Sequence, residues 1–208
     1  MKKGVFITFE GIDASGKTTQ ARKAVRYLRE KGFDVVFLRE PGGEPVSERI
    51  RRILLKSGSN ITPITELMLY LASRTQLVKK KIIPALKSKK LVVCDRFFDS
   101  TLAYQGYGRA LDRKWIKDLN RQSTSGIKPD LTLLIDVPLK VYLKRAKLKK
   151  NKDRLEKEDL AFYRRIRRGY LQIAKQDRKR VKVIDGSGTV QGTWARVKEG
   201  TDKFLGID

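Results

Sequence analysis

The stretch that most limits what this chain can fold into is "VFITFEGIDASGKTTQARKAV", in which GIDASGKT, Gly11 to Thr18, stands between an apolar run and a segment of helical periodicity. The pattern G-x-x-x-x-G-K-[ST] in that setting is a phosphate loop. Glycines let the backbone turn tightly so that successive amides face phosphate oxygens, and the following helix adds the positive end of its dipole. Gly11, Ile12, Asp13, Ala14, Ser15, Gly16, Lys17 and Thr18 are therefore the expected nucleotide cradle. Lys17 is expected to reach the terminal phosphates of a nucleoside triphosphate, and the Thr18 hydroxyl to ligate Mg2+. Thr19 reads as an ordinary first-turn helix residue.

The remaining sequence fits an α/β architecture. Short apolar runs at "VFITFE", "DVVFLR", "LVVCD", "LTLLIDV" and "VKVID" are separated by longer helical segments. In the first of these, Ala21, Ala24, Val25 and Leu28 fall on one face, and Gly32 stands where the helix should stop. Strands rich in Val, Ile and Leu, with helices between them, predict a parallel sheet of five strands covered on both faces. Ligands in such sheets bind beyond the carboxyl ends of the strands, which directs attention to Glu10, Arg39, Asp95, Val137 and Asp185 onward. With 208 residues and 40% hydrophobic content, a single domain over residues 1–208 is expected. No secretory leader and no apolar run near membrane-spanning length is read, so a cytoplasmic protein is expected. Cys94 in "LVVCD" reads as a buried strand thiol, and the lack of histidine removes Ser-His triads, Cys-His dyads and histidine-ligated metals.

Phosphate loops serve GTPases, motor and transport ATPases, and small kinases alike. A GTPase would place D-x-x-G before N-K-x-D. Here "DGSG" at Asp185 follows "NKD" at Asn151, and the latter lacks a residue, so that class is set aside. A helicase or recombinase would ordinarily need a longer chain. The formal net charge of +25 is spread over helical segments such as "YRRIRRGYL". It suits a site that handles polyphosphates, and equally well suits solvated helix faces that serve solubility or heat tolerance.

A second anion site is read on the acceptor side. Arg39 and Arg96 each lie just past a strand end, where a guanidinium can grip a phosphate with two prongs, and Arg51 is a third candidate one turn into the next helix. Asp95 closes an apolar strand, as an acidic residue near hydrated Mg2+ would. Tyr70 and Arg74 are four apart on a helix, and together they suit a flat base with carbonyl edges. The competing reading packs Tyr70 in the core and pairs Arg74 with a carboxylate.

Taken together, "FEGIDASGKTTQ", "REPGGEPVSERIR", "LMLYLASRTQL" and "DRFFDSTLAYQGYGR" resemble the thymidylate kinase family, and "KPDLTLLIDVP" and "LKRAKLKKNKDRLE" fit its later parts. The run from Asp95 to Arg109 is the specific part. The resemblance implies a phosphate-loop NTPase fold with a small mobile lid over roughly residues 144–156, and transfer of a phosphoryl from ATP to dTMP with Mg2+. It implies that Asp13 touches the acceptor sugar hydroxyl, that Arg39 and Arg96 grip its phosphate, and that Arg74 meets a base carbonyl. Tyr70 falls where the family usually stacks a phenylalanine on thymine, which keeps the stack but adds a hydroxyl that needs a partner. Ser100, Tyr104 and Gln105 match positions that line sugar and base. A homodimer is implied by the family alone.

A phosphate monoester acceptor is already ionised near neutral pH, so the task is positional and electrostatic, with Lys17, Arg96 and Asp13 as expected catalytic residues. Ala14 and Ser15 stand where some relatives have a loop arginine, which shifts that duty to the lid. There Lys147 and Lys149 replace arginines common in related lids, leaving Arg145 and Arg154, so the duty is assigned to Lys149, Arg154 or several residues together. The variant Arg96→Ala is expected to cripple turnover with the fold intact. The alternatives are a kinase for another nucleoside monophosphate or a deoxynucleoside, and, more distantly, a basic nucleic-acid-binding ATPase. No nucleic-acid motif supports the last, and neither nucleic acid nor membrane is an expected partner.

Overall fold

The computed structural model describes residues 3–207. Five strands, β1 (Val5–Glu10), β2 (Val35–Arg39), β3 (Leu91–Asp95), β4 (Leu131–Asp136) and β5 (Val181–Asp185), form one sheet in the order β2-β3-β1-β4-β5. Every neighbouring pair is parallel. The chain passes from β1 to the edge at β2, returns to β3, and only then crosses to the other side of β1. That reversal opens a crevice at the carboxyl ends of β1 and β3, where Phe9 pairs with Asp95 and Arg39 lies opposite Asp95.

Strand alternation sends neighbouring side chains to opposite layers. Ile7, Phe9, Val93 and Leu133 pack beneath α1 (Lys17–Glu30) and α9 (Val190–Leu205) with Val25, Leu28 and Val197. Phe6, Val92 and Cys94 face the other way, against Leu77, Ile82 and Phe97. Cys94 is the buried strand thiol that its apolar neighbours predict. The expectation of full cover fails at β5, an edge strand on which Lys182 and Val183 are exposed. At the end of α1, Gly32 takes a left-handed φ of 85°, as its place in the pattern predicts.

On the acceptor side, α2 (Pro45–Leu55) packs on α3 (Pro63–Leu77). The α3 helix widens through a π-helical run, Val78–Ile82, into α4 (Ile83–Lys87). Pro84 lacks the amide that an α-helical turn would use there, which gives the widening a local cause. Beyond β3, α5 (Phe98–Thr101) runs into a second π-helical run, Leu102–Gly108, closed by the Arg109 amide donating to Tyr104 O at 2.9 Å. A side chain at Gly108 would meet the Phe162 ring at 2.7 Å, so glycine is what lets α8 (Leu160–Gln176) approach this run. The π turn aims Tyr104 and Gln105 into the crevice. Between β4 and α8 lie α7 (Leu139–Ala146) and a short 3-10 turn, Leu155–Lys157, while α6 (Arg113–Ser123) packs on α3.

Candidate active site

The loop after β1 is shaped by what passes beside it. A Cβ at Gly11 would sit 2.4 Å from Ile135 O of β4, and Ala14 and Gly16 take left-handed φ values of 55° and 93°. Lys17, buried, rests its Nζ 3.5 Å from Ile12 O and 3.8 Å from Asp13 Oδ1. Burial, and then the nearby Arg96 charge, lower its pKa, opposed by Asp13, Asp95 and Glu10. Thr18 Oγ1 donates to Asp95 Oδ2 at 2.5 Å, and Asp95 Oδ1 is buried with no hydrogen-bond partner among the described residues. A hydroxyl beside an unpartnered carboxylate oxygen is a donor set suited to a hard cation such as Mg2+, which is commonly held by one or two protein oxygens together with substrate phosphates.

Next to the loop, a crevice is lined by Asp13, Arg51, Tyr70, Arg74, Arg96, Ser100, Tyr104 and Gln105. Arg96 is its hub and holds a left-handed φ of 72°, a conformation that costs a non-glycine residue on the order of 1–3 kcal/mol. Its Nη1 lies within hydrogen-bond distance of Gly11 O (2.9 Å), Ser100 Oγ (3.1 Å) and the Tyr170 hydroxyl (3.2 Å). Its Nη2 donates to Asp13 Oδ1 at 2.5 Å and to the Tyr104 hydroxyl at 3.0 Å. Asp13 also accepts from the hydroxyls of Tyr104 (2.7 Å) and Tyr163 (3.0 Å). Burial opposes its charge, yet Arg96, Lys17 and these phenols hold its carboxyl well below the usual carboxylate range.

Arg74 is wholly buried, and four of its contacts fix it: Glu40 Oε2 accepts from Nε (2.8 Å) and Nη2 (2.6 Å), Asn120 Oδ1 from Nη1 (2.9 Å), and Thr101 Oγ1 from Nη2 (2.9 Å). The carboxylate pairing that competes in the sequence reading is thus real. It still leaves one Nη1 hydrogen of this crevice-lining residue for a base carbonyl. Tyr70 is half-buried against the same apolar cluster as Leu67 and Leu71 while its ring also lines the crevice, so both readings of that residue hold. Gln105 donates to the buried Glu66 at 2.8 Å.

Arg39 departs from expectation. It is half-exposed, spends Nη2 on both Glu48 oxygens at 3.1 Å, and does not line the crevice. Glu48, nine residues on in α2, intercepts it. Arg51 donates to Pro41 O at 2.7 Å and, among the described residues, has no further hydrogen-bond partner, which leaves its other donors for the crevice it lines.

The two lid candidates separate as well. Lys149 is exposed and pairs with Glu156 at 2.5 Å. Arg154 turns away from the phosphate loop, with Nε donating to Leu54 O at 3.0 Å and Nη2 lying 2.5 Å from Glu66 Oε2. The lid-side cation that does touch the loop is Arg145, which donates to Ser15 O (3.0 Å), Gly186 O (2.9 Å) and Gly188 O (3.3 Å).

Sequence reasoning marks Glu10 only as a strand end and gives no role to Glu40, Glu66, Asn120, Tyr163 or Tyr170. Glu10 is fully buried and accepts from Phe97 N (2.7 Å), Ser100 Oγ (2.6 Å) and the Tyr170 hydroxyl (3.0 Å). Burial, with the Asp99 charge adding to it, pushes its pKa up to about 7 against the pull of Ser100, Arg96 and Phe97. One signal was available for the tyrosines, because Tyr163 and Tyr170 are seven apart in a helical segment and share a face.

Comparison with known proteins agrees with this geometry. The family model described as thymidylate kinase matches residues 9–195. The thymidylate kinase of Kosmotoga olearia is 51% identical over 187 residues, covering 90% of each chain. That of Geotalea uraniireducens is 47% identical over 201 residues, covering 93% of this chain and 94% of its own. The crystal structure of thymidylate kinase from Ehrlichia chaffeensis superposes with a TM-score of 0.78 at 37% identity, covering 95% of this chain and 98% of that one.

Proposed function

The chain belongs to the thymidylate kinase family and is an ATP-using enzyme of that activity, and from this premise we propose how its own residues carry dTMP and ATP to dTDP and ADP. The observation that carries the assignment is one crevice in which a base-sized ring and a guanidinium, Tyr70 and Arg74, face Arg51 and Arg96 and open through Asp13 onto the phosphate loop.

The acceptor base stacks on Tyr70 and offers a carbonyl to the remaining Nη1 hydrogen of Arg74. Asp13 accepts from the sugar hydroxyl, with Tyr104 closing the sugar's other edge. Arg96 and Arg51 gather the acceptor phosphate, and Arg39 contributes field from the rim. On the donor side, loop amides and Lys17 hold the triphosphate, so the two phosphates meet in line with little covalent work left for the protein. Mg2+ would be held by Thr18 and Asp95 and would neutralise charge between the donor phosphates. Within the lid over residues 144–156, Lys149 rather than Arg154 moves to the transferring phosphoryl, because the Lys149 pair with Glu156 is exposed on the lysine side whereas Arg154 is held by the buried Glu66.

A homodimer is supported by an apolar strip, Val46 and Ile53 on α2 with Ile64 and Met68 on α3, exposed on adjacent helices. Among the described residues no helix is long and apolar enough to cross a membrane; family membership is what supports a cytoplasmic location.

The test is an initial-rate panel with ATP, Mg2+ and dTMP, dUMP, AMP, CMP or GMP. Turnover is expected to be fastest on dTMP, and equal or faster turnover on another monophosphate would remove the specificity assigned to Tyr70 and Arg74.

A further inference from the structure

The polar groups that line the acceptor crevice are nearly all engaged with the protein. Asp13, Ser100, Tyr104 and Gln105 are hydrogen-bonded, and Arg74 and Arg96 have most of their donors fixed. The Tyr70 hydroxyl differs. It has no hydrogen-bond partner among the described residues, although its ring is held by the core cluster around Leu67 and Leu71. A phenol fixed by its ring and open at its oxygen points to a ligand atom as its partner.

The geometry narrows which atom. A base lying on the face of the ring leaves the hydroxyl projecting past its edge, in the plane of the ring, so the hydroxyl does not read the base that the ring stacks on. The base carbonyl is already served by Arg74, and the sugar hydroxyl by Asp13. Arg51 and Arg96 line the same crevice and are electrostatic neighbours of the hydroxyl, alongside the carboxylates Glu66 and Asp13, and these two cations draw a phosphate to that end. Burial, with Glu66 and Asp13 adding to it, holds the phenol protonated, so it can only offer its hydrogen to an anion there.

Resting on the dTMP kinase reading above, we propose that the Tyr70 hydroxyl donates a hydrogen bond to the phosphate of the acceptor nucleotide, making Tyr70 a reader of the phosphate as well as a platform for the base. The family's usual phenylalanine would supply only the second role.

Tyr70→Phe removes that oxygen and keeps the ring. Calorimetric titration of the wild type and the variant with dTMP, and separately with thymidine, isolates the contact. The expected result is about tenfold weaker dTMP binding in the variant, unchanged thymidine binding, and an unliganded melting temperature equal to that of the wild type. Equal dTMP affinity in the two proteins would overturn the proposal, as would parallel loss for dTMP and thymidine, which would put the contact on base or sugar. A lower melting temperature for the unliganded variant would also overturn it, by showing a protein partner for the hydroxyl. Wild-type protein that binds neither compound would remove the acceptor reading itself, an outcome distinct from wild-type dTMP binding that the variant leaves unchanged.

Discussion

Arg96 Nη2 lies 2.5 Å from Asp13 Oδ1, which makes the phosphate loop and the residue after β3 one hydrogen-bonded unit. The consequence amends the sequence-based expectation that Arg96→Ala leaves the fold untouched. Removing the guanidinium leaves a largely covered carboxylate with Lys17 at 3.8 Å and two phenols. Breaking a buried pair from one side costs about 3 kcal/mol, somewhat less here because Asp13 keeps some water contact. Arg96→Ala should therefore lower the melting temperature as well as cutting kcat by about a thousandfold. The double variant Asp13→Asn, Arg96→Ala should recover part of that stability and none of the turnover. Melting curves and steady-state rates on Arg96→Ala, Asp13→Asn and the double variant check this, and additive stability losses would show that the pair is not coupled.

At the donor end, Asp95→Asn replaces the oxygen that has no partner with an amide that cannot bind a cation as strongly. The Thr18 hydroxyl retains an acceptor, so the fold should hold. The Mg2+ concentration giving half-maximal rate should rise by about 10- to 100-fold, with the KM for dTMP little changed. A Mg2+ titration of the rate at saturating dTMP measures this, and an unshifted midpoint would take Asp95 out of the metal's environment.

In the proposed lid segment, Lys149→Ala and Arg154→Ala should part company. Lys149 is exposed on Glu156, and an exposed ion pair contributes only about 0–1 kcal/mol, so its loss should lower kcat without moving the melting temperature. Arg154 is clamped between Leu54 O and Glu66, a carboxylate that also binds Arg109 at 3.1 Å. Its loss should lower the melting temperature, with a smaller effect on kcat than Lys149→Ala has. The reverse ranking in kcat would return the transferring role to Arg154.

The strands were legible because each apolar run is short and sharply bounded, and the three central ones are buried on both faces. VFITFE, LVVCD and VKVID coincide with β1, β3 and β5. The phosphate loop was legible because its chemistry is local in sequence. The buried polar shell was not, since its bonds join residues far apart: Glu10 with Tyr170 across 160 positions, and Gln105 with Glu66 across 39. Such pairs leave no periodicity to read. The Arg39 pairing with Glu48 was hidden for a related reason, because strand-end placement says where a guanidinium starts, whereas Glu48 decides where it ends.

Glu10 gives the shell a measurable pH signature. Its folded-state pKa of about 7 lies above the ordinary value of 4.5, so between those pH values the folded protein holds a proton that the unfolded chain has released. Stability contributed by this group is therefore full below about pH 4.5 and is lost as pH rises toward 7, a span worth about 3 kcal/mol. Asp13 acts in the opposite sense at much lower pH, because its pKa is depressed. Comparing Glu10→Gln with the wild type at each pH cancels such other groups. The variant should gain in melting temperature relative to the wild type on going from pH 5 to pH 8, since the amide never has to carry a buried charge. A constant offset between the two proteins across that range would mean that Glu10 ionises normally, with its charge already balanced by the Phe97 amide, Ser100 and the Arg96 guanidinium.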